Sequence, residues 1–371
     1  MRPQRRRLLL AAAASPWARG AGADEGAVLP GRILHFPRDF GAHAPQPLEW
    51  WYLTGLLEAP APAGPTVLGL QLTFFRRRTA VDAANPSAFA AHELILGHVA
   101  LADPRRGALL QGERIARAGL GLAGAAAADT DVTLDHWALR RVPLSGVYEG
   151  RARTGAFALD LRATPTQPLL LQGDAGYSAK EAVHAGRVAA SYYYSEPQLA
   201  LQVRLALADG APGEPPWLRG RGWLDHEWSD ALLPARAAGW DWGGFNLDDG
   251  SALTVFQVRA KPGGAALHAY AALRAPHGLV QRYPAAQVQW SAQRLWQSPR
   301  TRARYPVVQI IRIDGRRFET RPLMDDQEFD ARAGSGIAYW EGACELWEDG
   351  RRCGSGYLEL TGYAATASPG V

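Results

Sequence analysis

The chain has few of the residues that usually mark a function at sight. It has only two cysteines and two methionines in 371 residues. One disulfide is therefore the most it could form, between Cys344 and Cys353. These flank "ELWEDGRR", where Glu348-Asp349-Gly350-Arg351 is a good turn, and a four-residue loop would let the two thiols face each other across a hairpin. Beyond the leader no uninterrupted apolar run reaches about 18 residues, so no helical membrane span is expected. The serine-hydrolase elbow G-x-S-x-G is missing. "HELILGH" and "HEWSD" begin like a zinc-protease helix, but His92 is followed by His98 and His226 by Asp230, and neither stretch has helical periodicity. A metal is not expected on this pattern. "GLGLAG", residues 119–124, has the letters of a dinucleotide fingerprint without the strand before it or the helix after it, and reads as a loop.

Charge of one sign is also scarce once the N-terminus is set aside. The formal net charge is +4, but residues 1–23 hold five arginines and no acid, so the remainder carries about −1. A nearly neutral body gives no electrostatic reason to bind nucleic acid. The arginine-rich start, a short apolar run from Leu8 to Ala14, and Ala21-Gly22-Ala23 together have the form of a cleaved export signal over 1–23. The expected destination is the periplasm or beyond, and Arg5-Arg6-Arg7-Leu8-Leu9 also fits a loose twin-arginine pattern.

What is abundant is β-pattern. "TVLGLQLTFF", "AFALDLRA", "LALQVRLALA", "SALTVFQVRA", "YPVVQIIRI" and "GSGYLELTGY" alternate apolar residues and end in Gly, Pro or Asp clusters. Forty glycines and 26 prolines supply turns for many short strands. An all-β fold of antiparallel sandwiches or barrels follows, in two domains at this length. By composition "DGAPGEPP", residues 209–216, is the best linker.

Two stretches combine acids with indoles. "EWWYLTG" holds Glu49, Trp50, Trp51 and Tyr52; "DHEWSDALLPARAAGWDWGG" holds Asp225, His226, Trp228, Trp240, Asp241 and Trp242. In strands, Trp223, Asp225 and Glu227 would share one face and Leu224, His226 and Trp228 the other. Asp241 would point away from Trp240 and Trp242, and Glu49 with Trp51 away from Trp50 with Tyr52. An acid among aromatics can simply hydrogen-bond indole N–H groups. It can also hold its proton to a raised pKa and donate it, while indole faces stabilise a cation.

These blocks, with "QLTFFR", "GYSAK", "YYYSEPQLAL" and "YWEGACELWEDGR", resemble the carotenoid 1,2-hydratase-like (hydroxyneurosporene synthase-like) proteins and the related AttH-type predicted secreted hydrolases, over about residues 32–364. The resemblance implies two lipocalin-like antiparallel β-barrel domains packed side by side, 32–229 and 230–371, with the boundary moved from the 209–216 loop to the end of "DHEW". It also implies hydration of isoprenoid double bonds somewhere in the wider family. On that basis the expectation is a lipophilic ligand, isoprenoid or acyl, and no cofactor. The expected proton donor is Asp241 or Asp225, His226 would be a hydrogen-bonding partner or a water-positioning base, and Trp228, Trp240, Trp242, Glu49, Trp50, Trp51 and Tyr52 would line the ligand. Two rivals stay open: a non-catalytic lipid carrier or accessory factor with an envelope or transporter partner, and a hydrolase using Asp225 with Glu227.

Overall fold

A computed structural model describes residues 26–60, 66–82, 84–181, 189–210, 213–231, 233–261 and 265–364. The export signal expected over 1–23 lies outside these. The first sheet contains β1 (Leu48–Ala59), β2 (Thr66–Arg78), β3 (Glu93–Ala102), β4 (Leu109–Arg117), β5 (Ala123–Ala125), β6 (Asp131–Leu134), β7 (Trp137–Arg141), β8 (Tyr148–Arg153), β9 (Phe157–Thr164), β10 (Leu170–Leu171), β11 (Tyr177–Ala179), β12 (Ala190–Leu207) and β13 (Trp217–Ser229). The second contains β14 (Ala237–Leu247), β15 (Ala252–Ala260), β16 (Ala266–Arg274), β17 (Val280–Tyr283), β18 (Val288–Gln297), β19 (Arg304–Ile313), β20 (Arg316–Pro322), β21 (Glu328–Ala331), β22 (Ile337–Glu348) and β23 (Arg351–Leu360). Among the described residues the helical segments are two short 3-10 turns, Arg38–Phe40 and Ala285–Gln287.

Both sheets are antiparallel. The first runs β4-β3-β2-β1-β13-β12-β9-β8-β7-β6-β5, and its two ends meet where β3 and β4 touch β5 and β6, so it curls nearly into a barrel. The second runs β17-β16-β15-β14-β23-β22-β20-β19-β18. Alternation explains which strands face water. β8 is buried at every second residue, one face in the core and one in solvent. Residues Trp51 to Gly55 of β1 are buried without a break, because the second sheet covers the face that the barrel core does not. That covered face makes a seam in which β1, β12 and β13 lie against β14 and β23, and β2 against β22.

Close approach at the seam requires small residues. A Cβ on Gly69 would lie 2.5 Å from the Ala343 Cβ and 2.7 Å from the Tyr357 hydroxyl; one on Gly244 would meet the Trp242 and Trp223 rings at 2.4 and 3.1 Å. Midway along β12, Pro197 cannot donate to a ladder, and the register shifts between Glu196 and Leu199. The resulting bulge turns Gln198 outward, where its backbone N–H reaches Asn246 Oδ1 at 2.6 Å and its side chain reaches the carbonyls of Leu247 and Ser251 at 3.0 and 2.7 Å.

The two cysteines are free. The hairpin expected to bring them together turns on two residues, Asp349 and Gly350, both at positive φ, not on four. With the register shift between Leu346 and Trp347, Cys344 pairs with Gly356, while Cys353 donates to the Leu346 carbonyl, so the thiols are out of register.

Candidate functional site

The strand alternation divides the aromatic–acid stretches between two places. On β1 and β13 one set of alternate residues enters the barrel core and the other enters the seam.

The core set is Glu49, Trp51, His226 and Trp228, all fully buried. Glu49 Oε1 accepts from His43 Nδ1 at 2.7 Å and from His226 Nε2 at 2.9 Å. The other ring nitrogens reach Asp39 Oδ1 at 3.0 Å and the Tyr194 hydroxyl at 3.1 Å. Trp228 stacks on His43 at 3.7 Å and Trp51 on His226 at 4.7 Å. Arg76 bonds the carbonyls of His43 and Gln46 and lies 3.5 Å from Glu49 Oε2. Burial pushes the Glu49 carboxyl up, but the two histidine hydrogen bonds and the attraction of those rings outweigh it and hold the group at about 2. Burial lowers His226, against the opposing pull of Glu49.

His43, Glu49 and His226 have the composition of a divalent-metal site, with ligand atoms within 4.8 Å of one another. Every ring nitrogen already has a hydrogen-bond partner, however, and Trp228 and Trp51 stack on the faces of the two imidazoles. This cluster reads as a clasp that fixes the start of β1 to β13 and to the preceding chain.

The seam set is Trp50, Tyr52, Trp223, Asp225 and Glu227 from the first sheet, facing Trp240, Trp242, Glu341 and Glu359 from the second. Asp225 Oδ1 accepts from the Ser195 hydroxyl at 2.5 Å and the Trp223 indole N–H at 2.7 Å. The Tyr193 hydroxyl is a third hydrogen-bonding neighbour of this carboxyl. Burial raises the carboxyl to about 7, and the nearby Glu227 adds to this, while the donors oppose it. Glu227 pairs with Lys180 Nζ at 2.6 Å, which in turn lies over the Tyr193 and Phe256 rings.

From the second sheet, Trp242 donates its indole N–H to the Tyr193 hydroxyl at 3.0 Å and packs edge-on to Tyr52 and Trp223. Tyr52 donates to Glu341 Oε1 at 2.5 Å. Trp240 donates to Glu359 Oε2 at 3.0 Å. Burial holds Glu359 at about 7 and Glu341 well above the usual carboxylate range, each pushed further by a neighbouring carboxylate.

Several expected site residues therefore do not meet. Asp241 faces away from the seam, where it accepts from Arg259 Nε at 3.0 Å, Gln257 at 2.7 Å and Tyr363 at 2.9 Å. Burial raises its carboxyl above the ordinary value against the opposing pull of Arg259, Gln257 and Tyr363, and it lies on the opposite side of β14 from Trp240 and Trp242, apart from Asp225. His226 also sits behind the strand from Asp225 and bonds Glu49, so it cannot position a water at the seam. Glu49, Trp51 and Trp228 are core, not lining. Asp225, Trp50, Tyr52, Trp240 and Trp242 are brought together. Sequence reasoning missed Glu341, Glu359, Ser195 and Lys180. The available signal for the two glutamates was an acid in the middle of an otherwise apolar alternation, in "YWEGACELW" and "GYLELTGY".

The open clefts lie away from these acids. One of about 460 Å³ is a shallow surface hollow around Gln293, Val308 and Arg321. Another, of about 300 Å³, opens between the sheets at Leu56, Arg219, Arg221, Leu323 and Ser355. Leu56 shares its β1 face with Thr54 and Tyr52, both buried, which stand between this second cleft and Glu341.

Two large antiparallel sheets, one nearly closed into a barrel, joined along a buried seam of indoles, phenols and carboxyls, define an all-β protein. The AttH-like family matches residues 27–363, and the chain belongs to that family. An AttH protein from Nitrosomonas europaea is 45% identical, with a TM-score of 0.83 over 92% of this chain and all of that one. Kievitone hydratase from Nectria haematococca shares the fold at 12% identity, with a TM-score of 0.64 over 90% of this chain and 94% of its own. CghA does so at 14%, with a TM-score of 0.53 over 92% and 96%. A comparison with curated proteins gave no match.

Proposed function

We propose that the protein binds a lipophilic, unsaturated molecule of isoprenoid type at the seam and adds water across one of its carbon–carbon double bonds without a cofactor. The observation that carries this reading is Asp225, a buried carboxyl whose Oδ1 accepts from Ser195 and Trp223, with its pKa raised by burial and the Trp223, Trp242 and Tyr193 rings around it. Its pKa near 7 suits a general acid at neutral pH. Protonating one alkene carbon leaves a carbocation on the other, which indole and phenol faces stabilise. A water then adds and loses a proton.

The name of kievitone hydratase refers to a hydration, but at its identity the likeness supports the fold; the chemistry rests on the seam. The cleft at Leu56 is the route we assign to the substrate. The basic, apolar leader supports export, with the protein working in the periplasm or outside the cell. Glu227 is neutralised by Lys180, which argues against a hydrolytic pair with Asp225.

The test begins with native mass spectrometry of protein purified from its own cells and extraction of whatever is bound. The extract, and squalene as an acyclic isoprenoid probe, are then incubated with the protein in ¹⁸O-water. The expected product is heavier by one labelled water, and Asp225→Asn should lower its rate by roughly 10²- to 10⁴-fold. Lipid recovered unaltered from the wild type would instead make the protein a carrier.

A further inference from the structure

Glu341 and Glu359 stand directly opposite each other on β22 and β23, as Cα partners in an antiparallel ladder. Side chains at such positions lie on the same face with Cβ atoms about 5 Å apart, where two like charges repel. Glu341 is 1% exposed and Tyr52 covers its Oε1, yet Oε2 has no hydrogen-bond partner. A neutral group makes the same demand: Gln71, also 1% exposed, gives its amide N–H to the Tyr339 hydroxyl at 3.0 Å and leaves Oε1 unpartnered. Tyr339 lies two residues before Glu341 on one face of β22, so the two orphaned oxygens open on the same stretch of the seam. Buried polar atoms of this kind are ordinarily satisfied by water or by a ligand.

We propose that Glu341 and Glu359 form a proton-sharing carboxyl–carboxylate pair that, together with Gln71 Oε1, holds the attacking water and takes its proton. This rests on the hydration reading above and assigns the half of the reaction that Asp225 does not perform. Asp225 gives its proton to the alkene carbon as the π bond breaks. The water oxygen forms the new carbon–oxygen bond, and the proton it sheds goes to the carboxylate member of the pair. One water is consumed and one alcohol formed, with no oxidant or reductant. The enzyme resets when the extra proton returns to Asp225. The titratable groups around the pair are Tyr52, Asp225 and Glu227 from the first sheet, with Lys180 bonded to Glu227, and Tyr339 and Tyr357 from the second. Lys180 is already paired with Glu227, so sharing one proton is the way Glu341 and Glu359 avoid standing as two adjacent buried anions.

Infrared spectra of the wild type across pH, in the carbonyl-stretch region of protonated carboxylic acids, decide whether the pair exists without needing a substrate. A band persisting above pH 7 is expected. It should disappear in Glu341→Gln, and in Glu359→Gln it should remain but shift in frequency as the second carboxyl is lost. Loss of the same band in Asp225→Asn alone, or a band untouched by either glutamine variant, would overturn the pair. So would its absence from the wild type, which requires no variant to fold. The role in water addition is read with squalene in ¹⁸O-water, where both glutamine variants should lose about 100-fold or more in rate. Wild-type rates in both would overturn that role. If the wild type leaves squalene and its own extract unaltered while the band behaves as expected, the hydration reading fails, and with it the role in water addition, while the proton-sharing pair stands.

Discussion

Tyr52 on β1 donates a 2.5 Å hydrogen bond to Glu341 on β22, linking the two sheets through a single buried phenol. Tyr52 is also the Cα partner of Asp225 on β13, so it adjoins the proposed proton donor and bonds the proposed base partner. Replacing it with phenylalanine keeps the ring and removes the bond. We expect Tyr52→Phe to cost about 1–3 kcal/mol, the scale for leaving a buried polar atom unpaired. The check is urea unfolding at neutral pH. A double-mutant cycle with Glu341→Gln should give a coupling of about 0.5–3 kcal/mol, as for residues in direct contact.

The seam acids also fix the sign of a pH effect. Asp225 keeps its proton up to about 7 when folded but releases it near the ordinary value of 3.8 when unfolded. Between those values the folded state binds more protons, so this group's contribution to stability falls as pH rises through the window and is flat above it. Asp225→Asn removes the cost. The variant should therefore be more stable than the wild type at pH 8, by on the order of a few kcal/mol, with the advantage shrinking toward pH 4. Chemical unfolding of both proteins at the two pH values measures this, and an advantage independent of pH would contradict it.

Glu49 gives the opposite sign. Its carboxyl is held at about 2 when folded against 4.5 unfolded, so its stabilisation is present above 4.5 and is lost as pH falls through 2. His226 and His98, both buried and lowered below 6.5, weaken the fold as pH drops under 6.5, because the unfolded chain takes up their protons first. Glu49→Ala strands His43, His226 and Arg76 in the barrel core. A loss of about 3–5 kcal/mol is expected, as for breaking a buried ion pair, read from the denaturant midpoint with seam chemistry measured in parallel.

Reductant should change nothing. The thiols are unbonded and out of register, and burial raises Cys353 to about 11 and Cys344 further. Few thiolates exist at neutral pH, so alkylation should be slow in the folded protein and reach two sites per chain only after unfolding. Intact mass after iodoacetamide, with and without prior reduction, tests both statements.

Much of this architecture was legible in the sequence because a strand's period of two is a local property. Alternation in "AFALDLRA" and "LALQVRLALA", with Gly and Pro between strands, shows an antiparallel β fold, and the same alternation is enough to assign Asp225 and His226 to opposite faces. Which face meets a partner was not legible, because that depends on how a second sheet, assembled from strands between Ala237 and Leu360, packs against the first. Asp241 looked like Asp225 from its neighbours alone. Arg259 and Tyr363, which separate their roles, are brought in by β15 and by the chain after β23. Glu341 and Glu359 escaped notice because what matters about them is their pairing across the ladder.

β13 serves two compartments with one run of residues: Trp223, Asp225 and Glu227 on the seam, Leu224, His226 and Trp228 in the barrel. Substitutions can alter either set while leaving the other in place. Inserting or deleting one residue cannot, since it would exchange the sets, burying two acids in the barrel and presenting an imidazole to the seam. This strand should therefore accept changes of letter but not of length, and length variation among relatives should collect in the connecting loops instead.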